Sequence, residues 1–331
     1  MSTVEDIEAL YARGVTDGLP VVPPTRACVD AAVEASGRPA DHVVARIAPG
    51  LGHATVEKIA VNAVMAGCRP EYMPVVIAAV QAITEPAFGL VGVSGTTDAV
   101  GLLLIVNGPI RKSLSVNCGV GLFGPGWRAN ATIGRAVHLV WMNIGGARLG
   151  VISMPTFAQP GRYTYCIGEY EEENPWPPLS VDHGFASDAS TVAALAAEAP
   201  QVISDAPSET ARDILTTVAR SGQVIASYRH ARLSDTVLVI GPEHARTIGR
   251  DGWSKADIQQ FLWESTKAEV DGQLVPKFQD PQNVKIVVAG SVAGRFSAWI
   301  PGWPFPDAPA RLVLKTITGS DLKEDPHHVH E

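Results

Sequence analysis

Apolar residues recur along this chain at helical and strand spacings in turn. Val4, Ile7, Leu10 and Tyr11 make one apolar face, which predicts a helix from about Val4 to Arg13, with Thr3 and Asp6 at capping-box spacing. Pro20, Pro23 and Pro24 force DGLPVVPP into an extended segment, after which Thr25 caps a second helix that stops near Gly37. A short strand is expected at Val43–Ile47. Val56, Ile59, Ala60, Ala63 and Val64 define a helix over Thr55–Ala66, with Gly67 as its stop. The stretch Glu71–Thr84 is apolar on nearly every side, so its helix should be covered all round. FGLVGV and GLLLIV read as strands. Ile133, Ala136, Val137, Val140 and Trp141 place a buried stripe on a helix over Ala129–Met142.

From 145 to 185 the periodicity disappears, which suggests a lid or a subunit contact. Beyond it come a strand at Thr191–Ala196, a helix at Glu209–Arg220 and strands at Val224–Ser227 and Thr236–Ile240. A helix at Lys255–Lys267 follows, with Ser254 and Asp257 in a capping box and Ile258, Phe261 and Leu262 inward. KIVVAG and RLVLKTI supply the last strands.

The two halves echo each other. Each reads helix, strand, strand, loop, helix, with Gly-Pro after the second strand (Gly108-Pro109, Gly241-Pro242) and Gly-Trp before the last helix (Gly126-Trp127, Gly252-Trp253). The expected fold is α/β: two pseudo-repeated α-β-β-α units packed as one mixed-sheet domain, with N-terminal helices. The divisions are 1–50 for the N-terminal helices and extended segment, 51–150 for the first half, 151–190 for the connection and 191–325 for the second half. Loops at the carboxyl ends of matching strands would then meet, where open α/β sheets bind ligands.

Composition narrows the function. The 331 residues are 46% hydrophobic and 18% charged, so the chain can bury a sizeable core. Gly 31 and Pro 25 suit many strand–loop–helix junctions. A net charge of −8 and no long basic face argue against nucleic acid as a partner. The N-terminus lacks a basic and an apolar signal region, and the apolar runs are too short to cross a membrane. Cys28, Cys68, Cys118 and Cys166 form no C-x-x-C pair, so the expectation is a cytoplasmic protein with reduced thiols that assembles as a homo-oligomer. His327, His328 and His330 belong to a polar tail.

The most informative stretch runs from Asn107-Gly-Pro-Ile to Asn117-Cys-Gly-Val-Gly-Leu-Phe-Gly-Pro-Gly-Trp-Arg128-Ala-Asn130. Gly119, Gly121 and Gly124 spell G-x-G-x-x-G. Pro125-Gly126 delays the helix and no acid follows at the required distance, so a dinucleotide site is not supported. Two readings stay open: loop N–H groups, Arg128 and the Asn107, Asn117 and Asn130 amides hold a small anion, or the loop is a flexible surface feature with Arg128 and Arg135 on a polar face. Cys118 in this loop is a candidate nucleophile whose thiolate the N–H groups and arginines would stabilise; the alternative is an inert turn residue. If the halves face each other, His244 is its candidate general base, Glu243 orients that base, and Lys255 is the matching cation.

Cys68 reads as a core residue, His138 as a packed histidine, and Cys166 as a thiol disfavoured by the acidic run after it. That run, Glu169-Tyr-Glu171-Glu172-Glu173, reads as a solvated loop in preference to a divalent-metal or acid/base site. His53 and Glu57, four apart, are a weaker metal pair.

DGLPVVPPT, NAVMAGCRPEYMPVV, IVNGPI and GPGWRANATIGRA together resemble a bacterial family, some of whose members carry the label thiol–disulfide oxidoreductase. It is similar to partners or fusions of the UGSC selenoprotein-like family. The resemblance spans about residues 15 to 270. It implies thiol or selenol chemistry shared with a Cys- or selenocysteine-bearing partner, in a family whose glycine loop can carry Ser or Gly at Cys118. The expected function is an enzyme acting on a small anionic or polar metabolite, a hydrolase or lyase in preference to an oxidoreductase, with no cofactor assigned. Alternatives are a binding subunit of a heteromeric thiol or selenol oxidoreductase, and a metal-dependent enzyme using the acidic cluster.

Overall fold

The computed structural model describes residues 3–225, 234–304 and 310–319. Two N-terminal helices, α1 (Thr3–Ala12) and α2 (Arg26–Ala35), precede a hairpin of β1 (Val43–Ile47) and β2 (Gly52–Thr55). Next come α3 (Val56–Ala66), α4 (Met73–Ile83) and α5 (Leu90–Gly95), then β3 (Gly101–Asn107), the one-turn α6 (Ile110–Ser113) and α7 (Arg128–Asn143). The middle of the chain holds β4 (Cys166–Gly168), α8 (Leu179–Asp182), β5 (Thr191–Ala197), β6 (Gln201–Ser204) and α9 (Ala211–Gln223). The rest comprises β7 (Thr236–Ile240), α10 (Pro242–Arg250), α11 (Lys255–Ser265), the hairpin β8 (Ala268–Val270) and β9 (Gln273–Val275), then β10 (Val284–Val288), β11 (Phe296–Ile300) and β12 (Val313–Thr316).

As expected, the sheets are mixed: two of four strands each, besides the two hairpins. The first runs β4-β3-β5-β12 and the second β10-β7-β11-β6. In each, a central strand has a parallel neighbour reached through helices and an antiparallel neighbour on its other side. The fourth strands are exchanged: β6 follows β5 yet pairs with β11, and β12 follows β11 yet pairs with β5. Ala197 and Gly302 bridge where the chain passes between sheets. The result is an α/β fold with N-terminal helices; the first half does not follow the α-β-β-α order expected, because a helix stands where its first strand was expected.

The caps work as the sequence indicates. Thr55 accepts from Lys58 N at the start of α3, Gly67 closes it at φ +92°, and Ser254 and Asp257 form a complete capping box on α11. Helix α4 is buried on nearly every side because it packs on β5 and β12 while α3 and α7 cover it. Every residue of β3, β5 and β7 is buried. A second core gathers around Trp299, whose indole donates to Val218 O at 2.9 Å.

Several expectations are overturned. FGLVGV is not a strand: Pro86–Phe88 form a 3₁₀ turn, Gly89 sits at φ +78°, and α5 follows. Short apolar runs do not distinguish strand from buried helix. Val224 and Ile225 lie in a bend after α9, and 226–233, the rest of that expected strand, fall outside the described residues. The histidine tail also falls outside them. Glu243 and His244 lie on α10, not in a loop, because Pro242 at the first helical position starts a helix. Val4 and Tyr11, the expected inner face of α1, are exposed. The irregular 151–190 connection contributes β4, buried throughout, to the first sheet.

Candidate functional site

Strand β3 ends at Asn107, and the chain turns at Gly108 with φ +85°. A Cβ at Gly108 would collide with Ala189 O, so only glycine fits. Pro109 then starts α6, which carries Arg111 and Lys112 back over the strand end. The parallel β4 delivers Glu169–Glu173 to the same place, its exit fixed by Glu169 N donating to Val106 O at 3.1 Å. Carboxylates distant in sequence therefore converge on Arg111.

The Arg111 side chain is 3% exposed and holds two carboxylates. Its Nε donates to Glu171 Oε1 at 3.2 Å, and its Nη2 lies 3.1 Å from Glu171 Oε2. Its Nη1 and Nη2 reach Glu172 Oε2 and Oε1 at 3.3 and 3.0 Å. Glu171 is held further by Gly108 N at 2.6 Å and Asn107 Nδ2 at 3.1 Å. Glu172 also meets Lys112 Nζ at 2.9 Å. Burial alone would raise the Glu172 carboxyl, but hydrogen bonds from Arg111 and Lys112 carry it down to about 2.

Glu169 is fully buried. It accepts from Asn107 Nδ2 at 2.6 Å, Leu179 N at 2.8 Å and Asn174 Nδ2 at 2.8 Å. Burial nonetheless pushes its carboxyl above the usual range. Asn107 Oδ1 and Thr191 Oγ1, on register partners of β3 and β5, are buried with no hydrogen-bond partner among the described residues. Asn107 cannot relieve this by flipping, since its amide nitrogen already serves two carboxylates.

Cys118 Sγ lies 3.7 Å from Arg111 Nη1, the nitrogen that also serves Glu172. The second half closes on the same point: Gly290 N donates to Cys118 O at 2.8 Å and Tyr170 N to Val288 O at 2.7 Å. The site thus sits at the carboxyl ends of β3, β4 and β10, where ends of parallel strands characteristically present ligand-binding groups. The expected thiolate is not what this setting favours. Burial pushes the Cys118 thiol up, Arg111 opposes the rise, and Glu172 adds to it.

The glycine loop is braced internally. Asn130 accepts from Asn117 N at 2.8 Å and donates to Asn117 O at 2.9 Å and Cys166 O at 3.0 Å. Gly119 N donates to Asn117 Oδ1 and Gly124 N to Gly121 O, so these N–H groups have partners within the loop. Gly121, at φ +68°, supplies the turn. Asn117 and Asn130 shape the loop in place of holding an anion with it. Arg128 turns away and gives Nε and Nη2 to Gly67 O at 3.1 and 3.0 Å, finishing α3.

The proposed partners of Cys118 are also elsewhere engaged. His244 is 1% exposed, with Nδ1 on Ser297 Oγ at 2.9 Å and Nε2 on Asp205 O at 3.1 Å. Both ring nitrogens are occupied, so it is not a base for Cys118. Glu243 accepts from Gly294 N at 2.7 Å and pairs with Arg295. Lys255 reaches Asp182 and Pro177 O, tying α11 to α8. Cys68 and Cys166 are both pushed up to about 12 by burial, so Cys166 is governed by its core position and not by the acids after it.

Sequence reasoning passed over Arg111, and it named Glu169, Glu171 and Glu172 without the arginine that gathers two of them. The acidic run is not a solvated loop. Among the described residues no group of three or more His, Cys, Asp or Glu side chains is arranged to hold a metal ion. His53 lies on β2 and not on a helix turn with Glu57, whose carboxylate pairs with Arg26 at 2.7 Å. Among the described residues no helix is long and apolar enough to cross a membrane. No protein-family model matches the chain, and no curated protein matches it.

Proposed function

We propose that the chain is an enzyme acting on a small anionic metabolite, with the Cys118 thiol as its reactive group and Arg111 as the cation that steadies it. The observation carrying this reading is the 3.7 Å approach of Arg111 Nη1 to Cys118 Sγ, at a partly exposed position where the two halves meet. A neutral thiol rests there. Negative charge on sulfur, once it forms, faces a guanidinium that stays ionised at any working pH. Glu171 keeps that guanidinium in place. Hydrolase or lyase chemistry remains the favoured class, because the G-x-G-x-x-G of the glycine loop lacks the prompt helix and the following acid that a dinucleotide site uses.

The test is protection of the thiol. Iodoacetamide alkylates Cys118 and the exposed Cys28, and site-resolved mass spectrometry gives both rates. Malonate, a small unreactive dicarboxylate, is expected to slow Cys118 saturably while leaving Cys28 unchanged. Absence of protection, or equal slowing at both thiols, removes the reading.

A second reading has its own observation. Leu149, Val151, Ile152, Met154 and Phe157 lie exposed on one short segment, Phe157 at 91%. Such a row suits burial by another subunit, either a second copy or a thiol- or selenol-bearing partner. Light scattering of the purified chain, with and without the F157S substitution, tests it: a monomer in both cases removes the homo-oligomer form.

A further inference from the structure

Glu171 and Glu172 are adjacent and share one guanidinium, yet they are held differently. Glu171 is locked from three sides by Gly108 N, Asn107 Nδ2 and Arg111 Nε. Its side chain is 18% exposed. Glu172 has cations for its partners, Arg111 and Lys112, and is 39% exposed. One carboxylate is a permanent counter-ion. The other occupies a seat between two cations at the rim.

That seat has the makings of an anion site. It presents two nitrogens of a planar guanidinium and an ammonium, a geometry matched to a carboxylate. It adjoins the thiol, because Nη1 serves both Glu172 Oε2 at 3.3 Å and Cys118 Sγ at 3.7 Å. Counted locally, Arg111 and Lys112 balance Glu171 and Glu172. If an outside carboxylate takes the seat, the bonds to Glu172 are replaced in kind and the buried guanidinium keeps two counter-ions.

We infer that Glu172 is an internal stand-in for the carboxylate of the substrate, and that a small carboxylate binds by displacing it from Arg111 and Lys112. This rests on the reading of Cys118 and Arg111 as the reactive pair, and it adds the substrate class and the residue that sets its affinity. In the resting chain the seat is filled, so the buried arginine is never left with an open face. Substrate pays a competition cost: its apparent Kd is the intrinsic Kd divided by the fraction of time Glu172 is away from the seat. When Glu172 leaves, its side chain moves to solvent along the exposed rim, while Glu171 and the β3 turn stay fixed. Binding of the anion thereby removes one carboxylate from beside the sulfur and sets the substrate's own carboxylate next to it.

The experiment compares the malonate concentration that half-protects Cys118 from iodoacetamide in the parent chain, in Glu172→Gln and in Lys112→Met. Gln removes the competing charge and keeps the size of the side chain. If Glu172 fills the seat nine-tenths of the time or more, half-protection in E172Q falls about tenfold or further. K112M, at a side chain 67% exposed, is expected to raise it instead. Unchanged or higher half-protection in E172Q, or no effect of K112M, overturns the inference. Either result leaves the Cys118 reading standing as long as malonate protects the parent chain. Loss of protection in the parent chain is the separate failure of that reading. Urea denaturation midpoints of the parent chain and of each variant show whether the fold is kept.

Discussion

Asn130 is the residue on which the geometry of the glycine loop depends, and replacing it tests that dependence. Its side chain is 6% exposed and makes three hydrogen bonds, to Asn117 N, Asn117 O and Cys166 O. In Asn130→Ala the Asn117 N–H is left buried without an acceptor, which costs about 1–3 kcal/mol. Asn117 O keeps its bond from Gly168 N at 2.9 Å, so its loss is the smaller, net value of a hydrogen bond. Cys166 O, in a buried residue, loses the Asn130 donor and is costed as a buried unsatisfied group, so the total is about 3–5 kcal/mol. Urea denaturation of both proteins reads this as a lower midpoint. The loop should also open more often, and Cys118 should meet iodoacetamide about tenfold faster for each 1.4 kcal/mol of local stability lost. A loss below about 1 kcal/mol with an unchanged Cys118 rate would refute the assignment of Asn130 as the brace.

Other outcomes follow from the same geometry. Burial raises the Cys118 thiol, so its alkylation rate should still be climbing above pH 9, and at pH 7 it should lag behind exposed Cys28. Early, fast labelling of Cys118 would contradict this. Glu172 titrates at about 2 in the folded chain and near 4.5 unfolded, so its contribution to stability is present above pH 4.5 and fades as pH falls toward 2. E172Q should flatten that part of the stability–pH curve. His138 is buried and its value is lowered to about 4 from 6.5, so the unfolded chain binds the extra proton first as pH drops. Stability should therefore fall between pH 6.5 and 4, by about 3 kcal/mol at most from this residue, and His138→Gln should remove that slope. His244→Ala should lower stability through Ser297 and Asp205 O without altering the pH profile of Cys118 alkylation; a shifted profile would restore it as a base.

The fold was legible wherever a local rule was sufficient. Helices α3 and α11 announce themselves through Thr55, Gly67, Ser254 and Asp257, because a cap is chemistry within one turn. Strand β3 is a run of apolar residues closed by Asn-Gly-Pro. By contrast, β6 buries only Ile203 among its four residues and leaves no alternation to read. Helix α10 buries Pro242, His244, Ala245 and Ile248, a face on which histidine and proline stand where apolar residues would have signalled a helix. The exchange of β6 and β12 between sheets is a matter of long-range pairing, which no local pattern specifies.

The site was harder to read than the fold for a related reason. Five residues with four carboxylates look like a solvated loop when considered alone, because an isolated buried charge is prohibitively costly. The cost is offset by Arg111, about sixty residues earlier, and the two segments meet because β3 and β4 run parallel. Charge pattern and strand direction have to be known together before the run can be recognised as the partner of a buried arginine. The error at His244 has the opposite form. Its place after a repeated Gly-Pro suggested symmetry with the glycine loop, but Gly108 turns left-handed while Gly241, at φ −65°, leads straight into a helix. Identical dipeptides therefore direct the chain differently, and the one after β3 brings Arg111 to the thiol. The loop expected to face Cys118 follows β7, but the chain that meets it follows β10, through Gly290 N on Cys118 O and Tyr170 N on Val288 O. That seam brings a buried arginine, a replaceable carboxylate and a thiol within one side chain's length, and this arrangement makes carboxylate exchange at Arg111 the event to measure.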